Sequence, residues 1–225
     1  MPDPIDLAPL IDHTVLRPEA TADEVAKACE EARQYGFAAV CVRPENVALA
    51  ASLLAGSRTL PIAVVDFPRG TAATGAKVDE ARAAIAAGAR ELDMVVNLAA
   101  LHARDYALVL RDIQAVVEVA RPRAVKVILE TGGLSRDEKA IGAALAKAAG
   151  AAFVKTSTGF EPGGATVEDV ALLRQVVGPG MGVKASGGIR TAADARKMIE
   201  AGATRIGASA SVAIVTGGPG TAGTY

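Results

Sequence analysis

Two lysines stand out because each follows a short apolar run and precedes a small, flexible turn. The segments Val154-Lys155-Thr156-Ser157-Thr158-Gly159 and Val183-Lys184-Ala185-Ser186-Gly187-Gly188 are near copies of one another. An amine attacks a carbonyl only in its neutral form, and a second cation close by is one recognised way to obtain that form. On neighbouring strands, two ammonium groups about 4 Å apart at an effective dielectric of about 20 repel by about 4 kcal/mol, enough to leave one neutral near pH 7. The chemistry suggested is imine formation with a small aldehyde or ketone. Plain pairing of each lysine with a strand-end carboxylate such as Asp93 or Glu130 would not explain why the turn is duplicated along with the lysine.

Asp12, Cys41, Asp66, Asp93, Asn97 and Glu130 likewise fall within or at the ends of apolar runs. Stability does not call for charge there, since an unpaired buried charge costs on the order of several kcal/mol. Asp93 is a candidate proton carrier, with strand-end pairing as its alternative; Asp12 and Glu130 are further candidates. Cys41 has no histidine partner and is expected in a pocket wall. Lys126 stands at the start of its run and is expected to be structural. Gly70 to Lys77 looks like a phosphate-binding loop, but its lysine is displaced by one residue and no Ser or Thr follows. Only His13 and His102 offer imidazole, without a second histidine at ligand spacing, so no metal is expected.

The elements that hold these residues are marked by repeated punctuation. Ser or Thr followed three residues later by an acid recurs at Thr21, Ser135, Thr166 and Thr191, the pattern of a helix-starting capping box. Glycine stop signals at Gly36, Gly88, Gly150 and Gly202 each precede an apolar run. Strands are expected at Phe37 to Val42, Pro61 to Phe67, Glu91 to Val96, Val125 to Glu130, Ala152 to Thr156, Gly182 to Ala185 and Arg205 to Gly207, with an eighth at Ile11 to Leu16. Eight strands alternating with helices, covered on both faces, predict one α/β domain, a single (β/α)8 TIM barrel, over residues 1–216. The open doubly wound sheet is disfavoured because no glycine-rich nucleotide turn follows the first strands. Aromatics make up 3% of the chain, so Ala, Val, Ile and Leu must fill the core, as they do in small barrels.

In such a barrel the C-terminal strand ends carry the site, and the last two strand-to-helix loops commonly bind phosphate. Gly187-Gly188 and Gly207-Ala208-Ser209 occupy those two loops. With 24 basic and 25 acidic residues interleaved, no nucleic-acid groove is marked and no nucleic-acid partner is expected. No stretch reads as a signal peptide or membrane span, and the two cysteines lack disulfide or zinc spacing, so a cytoplasmic protein with no membrane partner is expected. Association into a homo-oligomer is left open. Residues 217–225 are rich in Gly, Pro and Thr and are expected to form a mobile tail. Tyr225 at its end is either inert or a proton carrier folded back over the strand ends.

Asp12-His13-Thr14, Glu91-Leu92-Asp93-Met94-Val95, Lys155-Thr156-Ser157-Thr158-Gly159 and Lys184-Ala185-Ser186-Gly187-Gly188 are similar, in order and spacing, to motifs of the deoxyribose-phosphate aldolases. The resemblance covers nearly the whole chain. It implies that Lys155 forms the imine, that Lys184 lowers its pKa and that Asp93 relays protons. It further implies Asp12, Thr14, Cys41, Thr158, Gly159, Gly187, Gly188 and Ser209 as substrate- and phosphate-binding positions. The implied partners are a small phosphorylated sugar and an aldehyde: 2-deoxy-D-ribose 5-phosphate is reversibly cleaved to D-glyceraldehyde 3-phosphate and acetaldehyde without a cofactor. Where the family often has two adjacent serines in the last loop, this chain reads Ser209-Ala210-Ser211, so one hydroxyl donor is absent or displaced to Ser211. A phosphosugar isomerase or decarboxylase would share the barrel but not need paired lysines, and a non-catalytic phosphosugar-binding barrel would not need Lys155, Lys184 and Asp93 together.

Overall fold

The computed structural model describes residues 6–218. Eight parallel strands close into a barrel in chain order: β1 (Ile11–Val15), β2 (Ala39–Val42), β3 (Leu60–Val65), β4 (Glu91–Val95), β5 (Ala124–Ile128), β6 (Phe153–Lys155), β7 (Gly182–Ser186) and β8 (Arg205–Ala208). Around them run α1 (Ala22–Tyr35), α2 (Val47–Leu53), α3 (Thr74–Ala86), α4 (Leu98–His102), α5 (Tyr106–Ala120), α6 (Arg136–Ala148), α7 (Val167–Val177), α8 (Ala192–Glu200) and α9 (Ser211–Thr216). The expected (β/α)8 barrel is the observed one. Five strands end one or two residues before the expected boundary, and the residues just past β1, β4 and β5, Leu16, Val96 and Leu129, stay buried in the core although the ladder has ended.

The helix starts form as local chemistry demands. Full capping boxes occur at Thr21, Ser135 and Thr191. At Thr166 the hydroxyl accepts from Asp169 N, but the Asp169 carboxylate turns to Lys139 Nζ at 2.6 Å. Each helix start removes one orphan amide from the barrel's outer ring.

Strand parity divides the side chains into two layers. Outward residues such as Val40, Ala63, Met94, Val127, Val154 and Val183 join the helices in one large core. Inward residues occupy a separate interior. On the β2–β3 side it is apolar, with Ala39, Cys41, Ile62 and Val64 packed with Leu16. Opposite, Glu91, Asp93, Lys126, Lys155, Lys184 and Arg205 share inward register positions and join Asp12 in a buried network of ion pairs. The last element ends at Thr216; most of the expected tail, including Tyr225, lies outside the described residues. No helix among the described residues is long and apolar enough to cross a membrane.

Candidate active site

Lys155 ends β6 and Lys184 is its register partner at the centre of β7, so parity sends both side chains inward from adjacent strands. The duplicated turns above them are stitched together. Thr156 Oγ1 donates to Ser186 O at 2.9 Å and accepts from Ser186 N at 3.0 Å, while Ser186 Oγ donates to Ser157 O at 2.6 Å. The small polar residues after each lysine therefore lock the two strand ends together. Glycine at position 207 has a related purpose, because a Cβ there would come within 2.9 Å of Lys184 Cε.

Both ammonium groups meet the same carboxylate oxygen. Asp93 Oδ2 accepts from Lys155 Nζ at 2.9 Å and from Lys184 Nζ at 2.8 Å, and Asp93 Oδ1 accepts from Lys126 Nζ at 3.0 Å. Lys184 has a second anion in Asp12 Oδ2 at 2.5 Å, and Arg205 Nη1 holds Asp12 Oδ1 at 2.7 Å. Glu91 Oε2 closes the floor, 2.5 Å from Lys126 Nζ and 3.5 Å from Arg205 Nη1. Two expectations are thereby corrected. Strand-end pairing, set aside for the lysines, does occur at Asp93, although Glu130 takes no part. Lys126 is not at the start of its strand but at its middle, fully buried inside the barrel against Asp93.

The network carries four cations, Lys126, Lys155, Lys184 and Arg205, against three carboxylates, Asp12, Glu91 and Asp93. A low-dielectric interior resists that surplus, and the group with the weakest claim on an anion gives up its proton most easily. That group is Lys155, which has only a shared oxygen. Burial lowers its pKa; Asp93 opposes this, and the Lys184 charge lowers it further. The dominant cause is burial, not the neighbouring cation that the sequence suggested. Burial acts the same way on Lys184, but Asp12 and Asp93 overcome it and hold that ammonium above the ordinary lysine value. Burial by itself would raise the Asp93 carboxyl, yet Lys126, Lys155 and Lys184 hold it well below the usual carboxylate range.

The remaining positions fall into two groups. Thr14 and Cys41 are inward register partners on β1 and β2. Thr14 Oγ1 donates to Asp12 O at 3.0 Å, and burial pushes the Cys41 thiol up to about 11. Asp12, expected at the substrate, is fully buried and spends its oxygens on Lys184 and Arg205. Above the strands, Glu130 Oε2 accepts from Thr158 N at 3.1 Å and from the Thr158 hydroxyl. Gly159, Gly187 and Gly188 have φ of 90°, 93° and 78°, values that L side chains rarely adopt. The loop after β6 packs on the loop after β7 so closely that a Cβ on Gly187 would lie 2.7 Å from Gly164 Cα. Phe67, packed on the inner apolar cluster, meets Phe160 of the β6 loop edge-on at 5.2 Å.

Ser211 does not replace the missing hydroxyl. Its Oγ is fully buried, donates to Ala208 O at 2.8 Å and lies 2.9 Å from His13 Nδ1. Lys77, the lysine of the rejected phosphate-loop match, is fully buried against Asp112 Oδ2 at 2.5 Å, Asp66 Oδ2 at 3.3 Å and two backbone carbonyls. Sequence reading missed Glu91, Arg205, the Lys77 cluster and the His13–Ser211 contact. Glu91 was discoverable, because it stands two residues before Asp93 and alternation along a strand sends both to the same face, whereas Arg205 is tied to Lys184 only through the register of the closed barrel.

A closed parallel barrel holding a carboxylate-poor lysine at its C-terminal end is the frame of an enzyme that works on carbonyls. Comparison with known proteins specifies the family. The family model described as DeoC/LacD family aldolase matches residues 7–220, and the chain belongs to that family. A deoxyribose-phosphate aldolase of Halalkalibacterium halodurans is 55% identical over 94% of this chain and 95% of its own length. One from Alkaliphilus oremlandii is 56% identical, with 94% and 96% covered. Among solved structures, the tetrameric deoxyribose phosphate aldolase of Aeropyrum pernix superposes with a TM-score of 0.87 at 36% identity, covering 93% of this chain and 89% of that one.

Proposed function

We propose that this aldolase reversibly cleaves 2-deoxy-D-ribose 5-phosphate to D-glyceraldehyde 3-phosphate and acetaldehyde through an imine on Lys155. The observation that carries the assignment of Lys155 over Lys184 is the uneven distribution of anions. Lys155 shares one oxygen of Asp93, whereas Lys184 holds Asp93 and Asp12.

Neutral Lys155 attacks C1 of the open-chain sugar, and loss of water from the adduct leaves a protonated imine. A base removes the C3 hydroxyl proton, the C2–C3 bond breaks, and its electron pair flows into the imine to give an enamine. D-Glyceraldehyde 3-phosphate departs. Protonation of the enamine at its terminal carbon restores the imine, and water releases acetaldehyde and the free amine. Lys184, permanently cationic, disfavours charge on the resting Lys155 amine. Asp93 is held ionised, so its standing work is to orient both amines; it carries protons only in passing, by way of water. Thr14 and Cys41 line the inner wall, while Thr158 and Glu130 hold the loop that presents Gly159 to the substrate. Gly187, Gly188 and Ser209 supply the phosphate site, whose backbone donors need close approach. The scheme uses no metal or organic cofactor. The small sugar and aldehyde are its partners, and the tetramer reported for the Aeropyrum pernix protein makes self-association of this chain a question for sedimentation.

Borohydride reduction in the presence of acetaldehyde, followed by peptide mapping, tests the reading. A two-carbon adduct on Lys155 is expected. An adduct on Lys184, or no adduct, contradicts it.

A further inference from the structure

His13 lies on β1 with its side chain on the outer face of the barrel, away from Lys155, and the mechanism makes no use of it. Its imidazole is nonetheless fully engaged. Nε2 lies 2.9 Å from Glu31 Oε2 of α1, and Nδ1 lies 2.9 Å from Ser211 Oγ at the start of α9. The hydrogen bond from His13 is the largest influence on Glu31, whose carboxyl is held below its ordinary value. An ionised carboxylate can only accept, so Nε2 is the donor to Glu31, and Nδ1 is the ring nitrogen that meets the Ser211 hydroxyl. The Ser211 hydroxyl donates to Ala208 O, 2.8 Å away, and so ties the imidazole to the end of β8. Ala208 and Ser211 flank Ser209 and Ala210, the turn expected to meet the phosphate.

An open space borders that turn on this side. A cavity of about 320 Å³ is lined by Ser209, Ala210 and Ala213 together with His13, Lys27 and Glu31 among others. Where apolar side chains do not fill the space between a loop and a neighbouring helix, a buried hydrogen bond helps to fix the loop's position. Ala210 cannot contribute one through its side chain.

We propose that His13 and Ser211 form a clamp, braced by Glu31, that positions the β8–α9 loop to receive the substrate's phosphate. His13 is a positioning residue, not a catalytic one; Ser211 is the hydroxyl through which it acts. The displaced serine of Ser209-Ala210-Ser211 thus serves the phosphate site from behind instead of donating to it. This inference rests on the phosphosugar aldolase reading above.

The test is a double-mutant cycle of His13→Leu and Ser211→Ala, with 2-deoxyribose 5-phosphate and unphosphorylated 2-deoxyribose as substrates. Each single variant should raise KM for the phosphorylated sugar about tenfold, the effect of losing one buried hydrogen bond. kcat should stay within about twofold, kcat/KM for the free sugar should not change, and the double variant should be no worse than either single one. Cleavage of the free sugar doubles as the check on folding. Equal losses on both sugars, an unchanged KM in Ser211→Ala or additive effects in the double variant would overturn the clamp. Wild-type protein that cleaves neither sugar and traps no acetaldehyde would sink the aldolase reading itself.

Discussion

Lys77 and Lys155 are both buried lysines in the same barrel, and they are held in opposite ways. Lys77, on α3, is surrounded by Asp112, Asp66 and the carbonyls of Gly70 and Val95. Lys155, on β6, meets one carboxylate oxygen that Lys184 also uses. Burial therefore does not distinguish a reactive lysine from a structural one. The supply of anions does: Lys77 has two carboxylates and two carbonyls to itself, as a structural strut requires, and Lys155 has a share of one oxygen, as the proposed nucleophile requires.

Replacing each lysine by methionine should give the sharpest contrast. Lys155→Met is expected to lower kcat/KM by at least about a thousandfold, because the covalent route is lost while the rest of the site stands. Lys77→Met should leave kcat per folded molecule nearly unchanged but lower stability by about 3–5 kcal/mol, since Asp112 and Asp66 would keep buried charge without a partner. Denaturant melts beside steady-state assays read both. A stable, inactive Lys77→Met, or an active Lys155→Met, would break the comparison.

A smaller effect is expected from Lys184→Leu, seen mainly in the pH profile. Lys155 is cationic below its pKa and nucleophilic above it. Removing Lys184 deletes one of the influences that lower this pKa and leaves Asp93 Oδ2, whose charge raises it, to Lys155 alone. The pKa must therefore rise, and the acid limb of kcat/KM should move to higher pH, with the residual activity growing toward alkaline solution. An unmoved acid limb would mean that burial alone tunes Lys155.

How much of this was legible before the structure depends on the range of the interaction. The capping hydroxyls, helix-ending glycines and duplicated lysine turns are local patterns, and they were enough for the barrel and to single out Lys155, Lys184 and Asp93 as candidates, which the structure brings together; the ranking of Lys155 over Lys184 came from the family resemblance. Lys126 was misread because a residue's depth in a barrel depends on the stagger of its neighbours. It pairs in register with Asp93 and Phe153, which only the closed sheet reveals. Its inward direction follows by alternation once the sheet sets Ile128, two residues further on, beside Lys155. No local pattern could link Lys77 to Asp112 or His13 to Ser211, which lie 35 and 198 residues apart. Nor did sequence rank burial above the neighbouring cation as the main cause of the altered lysine, because desolvation belongs to the packed interior.

The central claim is that the two neighbouring lysines of the interior are driven apart in pKa, Lys155 downward and Lys184 upward. Labelling the lysine Cε carbons with 13C and following both resonances by NMR across an alkaline titration measures this directly, with Lys155→Met and Lys184→Leu spectra giving the assignments. The account predicts that Lys155 titrates below the ordinary lysine value while Lys184 stays charged to the end of the accessible range. Lys155 titrating at or above the ordinary value, or Lys184 losing its proton first, would contradict it.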